Sequence, residues 1–98
     1  MTAYVIADVE VTDPAAYEEY RKLVPATIEK YGGKYLARGG ATETKEGAWK
    51  PARFVILEFP SMDQAKRWYD SPEYTPARAI RQRASKSKVL FVEGIGKP

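Results

Sequence analysis

The sequence predicts an α+β fold whose elements follow in the order β-α-β-β-α-β. Segments rich in β-branched and aromatic residues, which favour strands, occur near both ends of the chain and twice in its middle. Amphipathic helical segments follow the first and the third of these strands. Two such β-α-β halves form a four-stranded antiparallel sheet with both helices on one face, the arrangement called ferredoxin-like.

The first half of the chain has clear element boundaries. Residues 3–11 predict a strand, because the odd positions form a continuous apolar face and the even positions a mixed one. Asp13 is a typical helix N-cap, and Pro14 suits the first helical position, where its missing N–H costs nothing. The helix is expected to reach Tyr31, with a kink or a short break at Pro25.

The second half contains the remaining elements. Residues 34–40 predict the second strand, and the polar residues 41–51 a long connection to a third strand over residues 52–60. A capping box at Ser61 predicts the start of a helix that ends near Asp70, and a turn over residues 71–74 follows it. Thr75 is expected to cap a short helix that ends near Ala84, and residues 87–94 predict the last strand.

The third predicted strand indicates a partner. Residues 52–60 are the most hydrophobic run in the chain and place apolar side chains on both faces, so both faces must be covered. The predicted helices cover one face. We expect a second copy of the chain to cover the other, which gives a homodimer through the sheet face. The length fits a single domain over residues 1–98, with a modest core of its own.

The composition limits the chemistry. The chain has no cysteine and no histidine, which removes thiolate nucleophiles, the commonest general base and the usual transition-metal ligands. We therefore expect no metal and no cofactor. The net charge of +3 is mild, and no apolar run approaches the roughly 20 residues of a membrane-spanning helix, so neither a nucleic acid nor a membrane is expected as a partner. The first residues lack the pattern of a secretory signal, which predicts a cytoplasmic protein.

Several short segments, taken together, resemble one protein family. They are residues 35–40 (YLARGG), 49–51 (WKP), 58–61 (EFPS), 68–74 (WYDSPEY) and 92–94 (VEG). By them the chain is identified as a member of domain-of-unknown-function family 1330, within the dimeric α/β-barrel superfamily. The resemblance implies a ferredoxin-like protomer whose sheet packs on that of its twin, and it implies no function. More distant relatives include cofactor-free monooxygenases, muconolactone isomerases and haem-dependent enzymes, although this chain has no histidine to bind haem.

Three charged residues form the first candidate site. Asp8, Arg38 and Glu58 occupy even positions in three predicted strands, with apolar neighbours two residues away. If side chains alternate without interruption between the two faces of the sheet, all three project from one face. An arginine between two carboxylates there would favour the ionised form of each of the three groups. The cluster is then either an ion-pair network that sets the sheet register or the dimer interface, or a ligand site in which Arg38 grips a carboxylate or enolate oxygen. Unconnected surface charges are the third alternative.

Aromatic residues form the second candidate site. Four tyrosines lie on or near the inward faces of the predicted helices, where they either belong to the core or line a pocket with their phenol groups. Arg81 lies three residues after Arg78, so that one of the two can point into the cleft while the other is solvated. Trp49, in the polar connection, is expected to pack against the partner subunit. The candidate ligand-binding residues are therefore Tyr17, Tyr20, Tyr69, Tyr74 and Arg81.

Three functions stay open on this basis. The first is binding of a small organic acid or ketone in a pocket between sheet and helices. The second is an enzyme without a cofactor, an isomerase or a monooxygenase-like protein, in which Glu58 or Asp8 is the base and Arg38 stabilises the oxyanion. The third is a structural or regulatory dimer without a ligand.

Overall fold

The computed structural model describes residues 1–95, and the predicted ferredoxin-like fold is confirmed. The strands form an antiparallel sheet in the order β2-β3-β1-β4, and the helices cover one of its faces. Along this part of the chain the elements are β1 (Ala3–Val11), α1 (Pro14–Lys30), β2 (Lys34–Arg38), β3 (Phe54–Phe59), α2 (Met62–Tyr69), α3 (Thr75–Ala84) and β4 (Ser85–Glu93).

Helix α1 begins as predicted but does not break. The Asp13 carboxylate accepts a hydrogen bond from the backbone N–H of Ala16 at 3.2 Å, which satisfies one of the free donors of the first turn. The helix then continues through Pro25 to Lys30. Pro25 and Arg21 are both exposed, so water can hydrate the Arg21 carbonyl that the proline leaves without an N–H partner. The break expected at Pro25 is therefore absent.

The core lies between the helices and the odd-numbered positions of β1 and β3. Trp68 of α2 is its centre, since its ring stacks on Tyr74 at a centroid distance of 4.1 Å and packs on Phe59 at 5.2 Å. Its indole N–H donates to Thr27 Oγ1 at 3.0 Å, so this buried donor is satisfied. The buried cluster consists of Val5, Val24, Ile28, Leu57, Phe59, Ala65, Trp68, Tyr74 and Ala77.

The turn between α2 and α3 is organised by Ser71, not by Thr75. The Ser71 hydroxyl donates to the carbonyl of Trp68 at 2.7 Å and accepts from the backbone N–H of Tyr74 at 3.0 Å. Thr75 is the first residue of α3, and its hydroxyl donates back to the Ser71 carbonyl at 2.7 Å. The prediction that Thr75 caps α3 is wrong, because its side chain satisfies an acceptor of the preceding turn.

The other side of the sheet carries no helix in residues 1–95, and we call it the open face. Ile6 lies between Ile56 of β3 and Leu90 of β4 in the register, so an apolar row crosses the sheet here. Leu90 is 56% exposed, and Val92 is exposed beside it. The larger apolar residues of the open face are Tyr4, Ile6, Leu36, Phe54, Ile56, Leu90 and Val92.

Candidate functional site

A cavity of about 190 Å³ lies between α1 and the helix-covered face of the sheet. Its floor is a row across three strands, in which Ala7 of β1 lies opposite Val55 of β3 and Val89 of β4. Ala7 is the smallest residue of this row, so the floor is lowest at its centre. Val5, Val9 and Leu57 extend the apolar floor along β1 and β3.

The four tyrosines singled out from the sequence all line this one cavity. Tyr17 and Tyr20 reach it from α1, and Tyr69 and Tyr74 from α2 and the turn after it. The hydroxyl groups of Tyr20 and Tyr74 are hydrogen-bonded to each other at 2.9 Å. The structure therefore brings the aromatic candidates together as one wall, and their role in ligand binding stays a prediction.

Three phenol groups at the cavity, those of Tyr17, Tyr20 and Tyr35, have a raised pKa and are neutral at physiological pH. Burial raises the pKa of Tyr20 well above its ordinary value, and the neighbouring Tyr74 hydroxyl raises it further. Burial also raises the pKa of Tyr17 and of Tyr35, and the nearby Arg53 and Arg38 offset this only in part. These phenols can donate hydrogen bonds to a ligand, but they are poor bases.

Arg81 is a buried cation beside the cavity. It is 5% exposed, and its guanidinium donates to Ser87 Oγ at 2.5 Å and to the Tyr69 hydroxyl at 3.5 Å. Within residues 1–95 no carboxylate oxygen lies within 4.0 Å of it. Burial opposes its charge, but the phenols of Tyr74, Tyr20 and Tyr69 outweigh this and raise its pKa. Arg81 is therefore a charged donor without an anionic partner in the described chain.

Two more guanidinium groups line the interior of the cavity, apart from that of Arg21 at its rim. Arg53 precedes β3, and its guanidinium lies 5.8 Å from the centre of the Tyr17 ring, while its Nε is buried with no hydrogen-bond partner among the described residues. Arg38 lies at the end of β2, with its guanidinium 4.6 Å from the centre of the Tyr35 ring. Neither group forms an ion pair within the part of the chain that the structure covers.

Arg38 reaches this cavity because β2 contains a bulge. Tyr35 pairs with Leu57, but Ala37 pairs with Ile56 and Arg38 with Val55, so the register shifts by one residue after Tyr35. A one-residue shift moves each following side chain to the other face of the sheet. The prediction that Arg38 shares a face with Asp8 and Glu58 is therefore wrong.

Asp8 and Glu58 lie on the open face and have other partners. Asp8 accepts hydrogen bonds from the indole N–H of Trp49 at 2.9 Å and from the backbone N–H of Ala52 at 3.0 Å. Glu58 forms an ion pair with Lys34 at 3.1 Å. Neither carboxylate lines the cavity. The three charged candidates thus form no common site, and Asp8 and Glu58 are separated by the sheet from the tyrosine wall.

Trp49 holds the connection between β2 and β3 onto the sheet of its own chain. Besides its hydrogen bond to Asp8, its ring packs on Phe54 at a centroid distance of 5.5 Å. The side chain remains 56% exposed. The expected packing of Trp49 against a partner subunit stays a prediction. The exposed position of its side chain at the edge of the open face is compatible with such packing.

The rim of the cavity carries charged residues of α1. Glu18, Arg21 and Lys22 are exposed there, and Glu18 forms an ion pair with Arg21 at 3.0 Å. Glu18 is the only carboxylate among the described residues that line the cavity. The interior therefore offers hydrogen-bond donors and positive charge, with no carboxylate that could act as a base.

Two further residues of this site, Arg53 and Tyr35, were not identified from the sequence. Arg53 continues the odd-numbered row of Val55 and Leu57, so strict alternation along the third strand could have placed it on the helix-covered face. Tyr35 precedes the bulge, and its pairing with Leu57 puts it on the same face. In the sequence it looks like any aromatic strand residue.

The described residues form neither a metal-binding cluster nor a membrane-spanning helix. Residues 1–95 contain no group of three or more Asp or Glu side chains placed so that they could hold a metal ion. In the same stretch, no helix combines the length and the apolar character that crossing a membrane requires.

The fold and the chain's sequence define its class. The family model described as Domain of unknown function (DUF1330) matches residues 2–95, so the chain belongs to this family. No match was found among curated proteins.

Solved structures with the same fold include proteins of different description. A protein of unknown function from Rhodopseudomonas palustris is 21% identical, with a TM-score of 0.78 over 99% of this chain and 84% of that one. A dimeric ferredoxin-like protein of unknown function from Jannaschia is 11% identical, with a TM-score of 0.71 over 96% and 100%. A cofactor-independent oxygenase from Streptomyces nogalater is 16% identical, with a TM-score of 0.64 over 98% and 94%. Likeness at this level of identity shows the fold alone.

Proposed function

We propose that this protein is a homodimer that binds a small organic acid, or the enolate of a small ketone, in the cavity between α1 and the sheet. The observation that carries this proposal is Arg81, a buried guanidinium whose hydrogen-bond partners are hydroxyl groups and not a carboxylate. The hydroxyl groups around this ion offset the cost of its burial, but they carry no negative charge that would neutralise it. An anionic ligand would supply that charge through charge-assisted hydrogen bonds, which are stronger than hydrogen bonds between neutral groups.

The surroundings of Arg81 favour the same ligand class. Arg38 and Arg53 add two cations, and the neutral phenols add hydrogen-bond donors around an apolar floor. Guanidinium groups bind carboxylates with two parallel hydrogen bonds, which fixes orientation as well as charge. A cavity with apolar walls and a few convergent polar groups is typical of small-molecule sites.

Catalysis without a cofactor is the second candidate. The donors that would hold a carboxylate would also stabilise an enolate oxygen, and the fold is shared with the oxygenase named above. Proton abstraction by Asp8 or Glu58 is excluded from this scheme, because both lie on the open face. The cavity interior supplies no other carboxylate, so its geometry supports binding of an already ionised ligand over enolisation of a neutral one.

The homodimer is proposed on the open face. Its apolar row at Ile56, Ile6 and Leu90 has no cover within residues 1–95, and a second copy would supply it. The Jannaschia protein, described as dimeric, has the same fold. A structural or regulatory dimer without a ligand would use the same interface, but this alternative does not explain why the cavity contains cations that form no ion pair.

The test compares two arginines of the same helix. Arg81→Met removes the buried guanidinium, and Arg83→Met removes an exposed one as the control. We expect Arg81→Met to lose all stabilisation by small organic acids in a thermal-shift panel. Arg83→Met should keep that stabilisation, because its charge lies outside the cavity. The proposal is contradicted if no acid in the panel stabilises the wild-type protein. It is also contradicted if the acids stabilise Arg81→Met as much as they stabilise the wild-type protein.

A further inference from the structure

We infer that the acid held in this cavity is of the benzoate type, a single aromatic ring with a carboxylate and a second oxygen at the ortho or meta position. The inference rests on the proposed function and names the class of ligand for that same site. Cavity size, the chemistry of the walls and the placement of Arg53 and Arg81 each support one part of it.

Cavity size selects one ring. An apolar cavity of about 150 Å³ holds benzene. The cavity here measures about 190 Å³, which leaves room for a six-membered ring, a carboxylate and one further atom. Two fused rings need considerably more space. The low floor at Ala7 provides the depth for the ring, because Val55 and Val89 on either side are larger.

The walls favour an aromatic ring over a saturated one. Tyr17, Tyr69 and Tyr74 present aromatic surface from the helix side, while the floor is aliphatic. Aromatic pairs in stacked or edge-to-face geometry contribute about 0.5–1.5 kcal/mol beyond their area, which corresponds to a ratio of about two- to twelvefold in affinity. The guanidinium of Arg53, already placed over the Tyr17 ring, can also face the electron-rich surface of a bound ring.

The position of the second oxygen on the ligand ring follows from the positions of Arg53 and Arg81, which lie on either side of Val9. The backbone N–H of Val9 bonds to the carbonyl of Arg53 at 2.9 Å, and Val9 pairs on its other side with Ser87, the partner of Arg81. Neighbouring strands are about 4.8 Å apart, so Arg53 and Ser87 are anchored about 10 Å apart at one level of the sheet. Both cations thus approach a ring above Ala7 from its Val9 side. Oxygens on adjacent or alternate ring carbons can meet both, whereas para oxygens point in opposite directions.

The experiment is a calorimetric titration of the wild-type dimer with matched acids. The hydroxybenzoates with the hydroxyl at the ortho, meta or para position differ only in the position of the second oxygen. Cyclohexanecarboxylate replaces the aromatic ring by a saturated one, and 2-naphthoate adds a second ring. We expect the ortho or the meta isomer to bind about tenfold tighter than the para isomer, the ratio of one charge-assisted hydrogen bond. Cyclohexanecarboxylate and 2-naphthoate should both bind more weakly than the preferred hydroxybenzoate.

Two variants connect this ranking to the structure. Ala7→Leu fills the low point of the floor and should weaken every single-ring acid by about tenfold or more, while Ala26→Leu, exposed on α1, should bind as wild type. Arg53→Met should equalise the three hydroxybenzoates but keep their binding through Arg81. Because the measurement on Arg53→Met is a ranking of ligands, this variant tests the inference even if Ala7→Leu fails to fold.

The outcomes separate this inference from the proposed function. Binding of short aliphatic acids that depends on Arg81, without binding of the hydroxybenzoates, overturns the inference and leaves the proposed function standing. Preference for the para isomer, or tight binding of 2-naphthoate, also overturns the inference. Absence of any binding that depends on Arg81 overturns the proposed function itself.

Discussion

Glu73 lies in the turn between α2 and α3, and its carboxylate ties this turn to the end of α1. Lys30 donates to one carboxylate oxygen at 2.6 Å, and the Tyr31 hydroxyl donates to the other at 2.7 Å. The bond from Lys30, followed by that from Tyr31, lowers the pKa of Glu73 from 4.5 to about 2. The ionised carboxylate is therefore the form that the folded chain prefers, and it positions the segment that contains Tyr74.

This pKa predicts how stability changes with pH. A carboxyl group whose pKa is lower in the folded state contributes its full stabilisation above the ordinary pKa of 4.5, and this contribution is lost as the pH falls toward about 2. Glu73→Gln should therefore melt below wild type at pH 7, and the difference should shrink below about pH 4.5. Thermal melts between pH 7 and pH 3 measure it. Glu19→Gln, on the outer face of α1, is the control. Equal melting temperatures for Glu73→Gln and wild type at pH 7 would contradict this account.

Helical periodicity was sufficient to find some of the cavity side chains. Tyr17 and Tyr20 lie three residues apart on one face of α1, and such a face must point toward the sheet. Arg81 was identified by the same argument, as one of two basic residues of which one would turn inward. Arg53 was missed because a charged residue before a strand is usually solvated, and the sequence does not show that Tyr17 covers it.

At the scale of elements, the turn between α2 and α3 depends on one hydroxyl. Ser71 is 3% exposed and is both donor to Trp68 and acceptor from the backbone N–H of Tyr74. Ser71→Ala leaves that buried N–H unpaired, which costs about 1–3 kcal/mol of unfolding free energy. Chemical denaturation measures the loss. Ser61→Ala, which removes the comparable but less buried cap of α2, should cost about 1 kcal/mol. A loss for Ser71→Ala no larger than for Ser61→Ala would show that water replaces the hydroxyl.

The bulge in β2 explains why the charged cluster could not be predicted. The segment of residues 34–40 reads as unbroken alternation, and alternation places Arg38 with Asp8 and Glu58. The shift between Tyr35 and Ala37 reverses that placement. The residue types there give no local signal for a bulge, since the glycine that follows, Gly39, lies beyond β2. Register errors of one residue are therefore the weakest point of reading a site from strand periodicity.

The cavity exists because of the way in which α1 packs against the rest of the molecule. This helix packs mainly along α3, so space remains between it and the sheet. Its periodicity shows which face is apolar, but the distance between that face and the sheet depends on side chains from six other elements. Small residues on the floor, Ala7 above all, and large ones on the wall, such as Tyr74, together set that distance. Sequence patterns of single elements do not contain this information.

At the scale of the whole molecule, the sheet separates two different surfaces. One face, under α1, combines the guanidinium groups of Arg38, Arg53 and Arg81 with phenol groups and an apolar floor. The other face is apolar at its centre and has charged residues such as Asp8, Glu58 and Lys88 near its margins. Such a division would let the proposed ligand binding and the proposed self-association use different sides of the same strands. Substitutions on the open face should therefore change assembly without entering the cavity.

The row of Ile56, Ile6 and Leu90 gives this idea a direct test. Leu90 is 56% exposed on an edge strand, so Leu90→Glu should not disturb the core, but in a face-to-face dimer it would bury an unpaired charge. We expect wild type to sediment as a dimer at micromolar concentration, with an interface above about 1,000 Å² in total, and Leu90→Glu to sediment as a monomer. Leu23→Glu alters a residue that is 47% exposed on α1, across the sheet from the open face, and should remain dimeric. A monomeric wild type would overturn the homodimer. A dimeric Leu90→Glu variant would place the interface elsewhere on the surface.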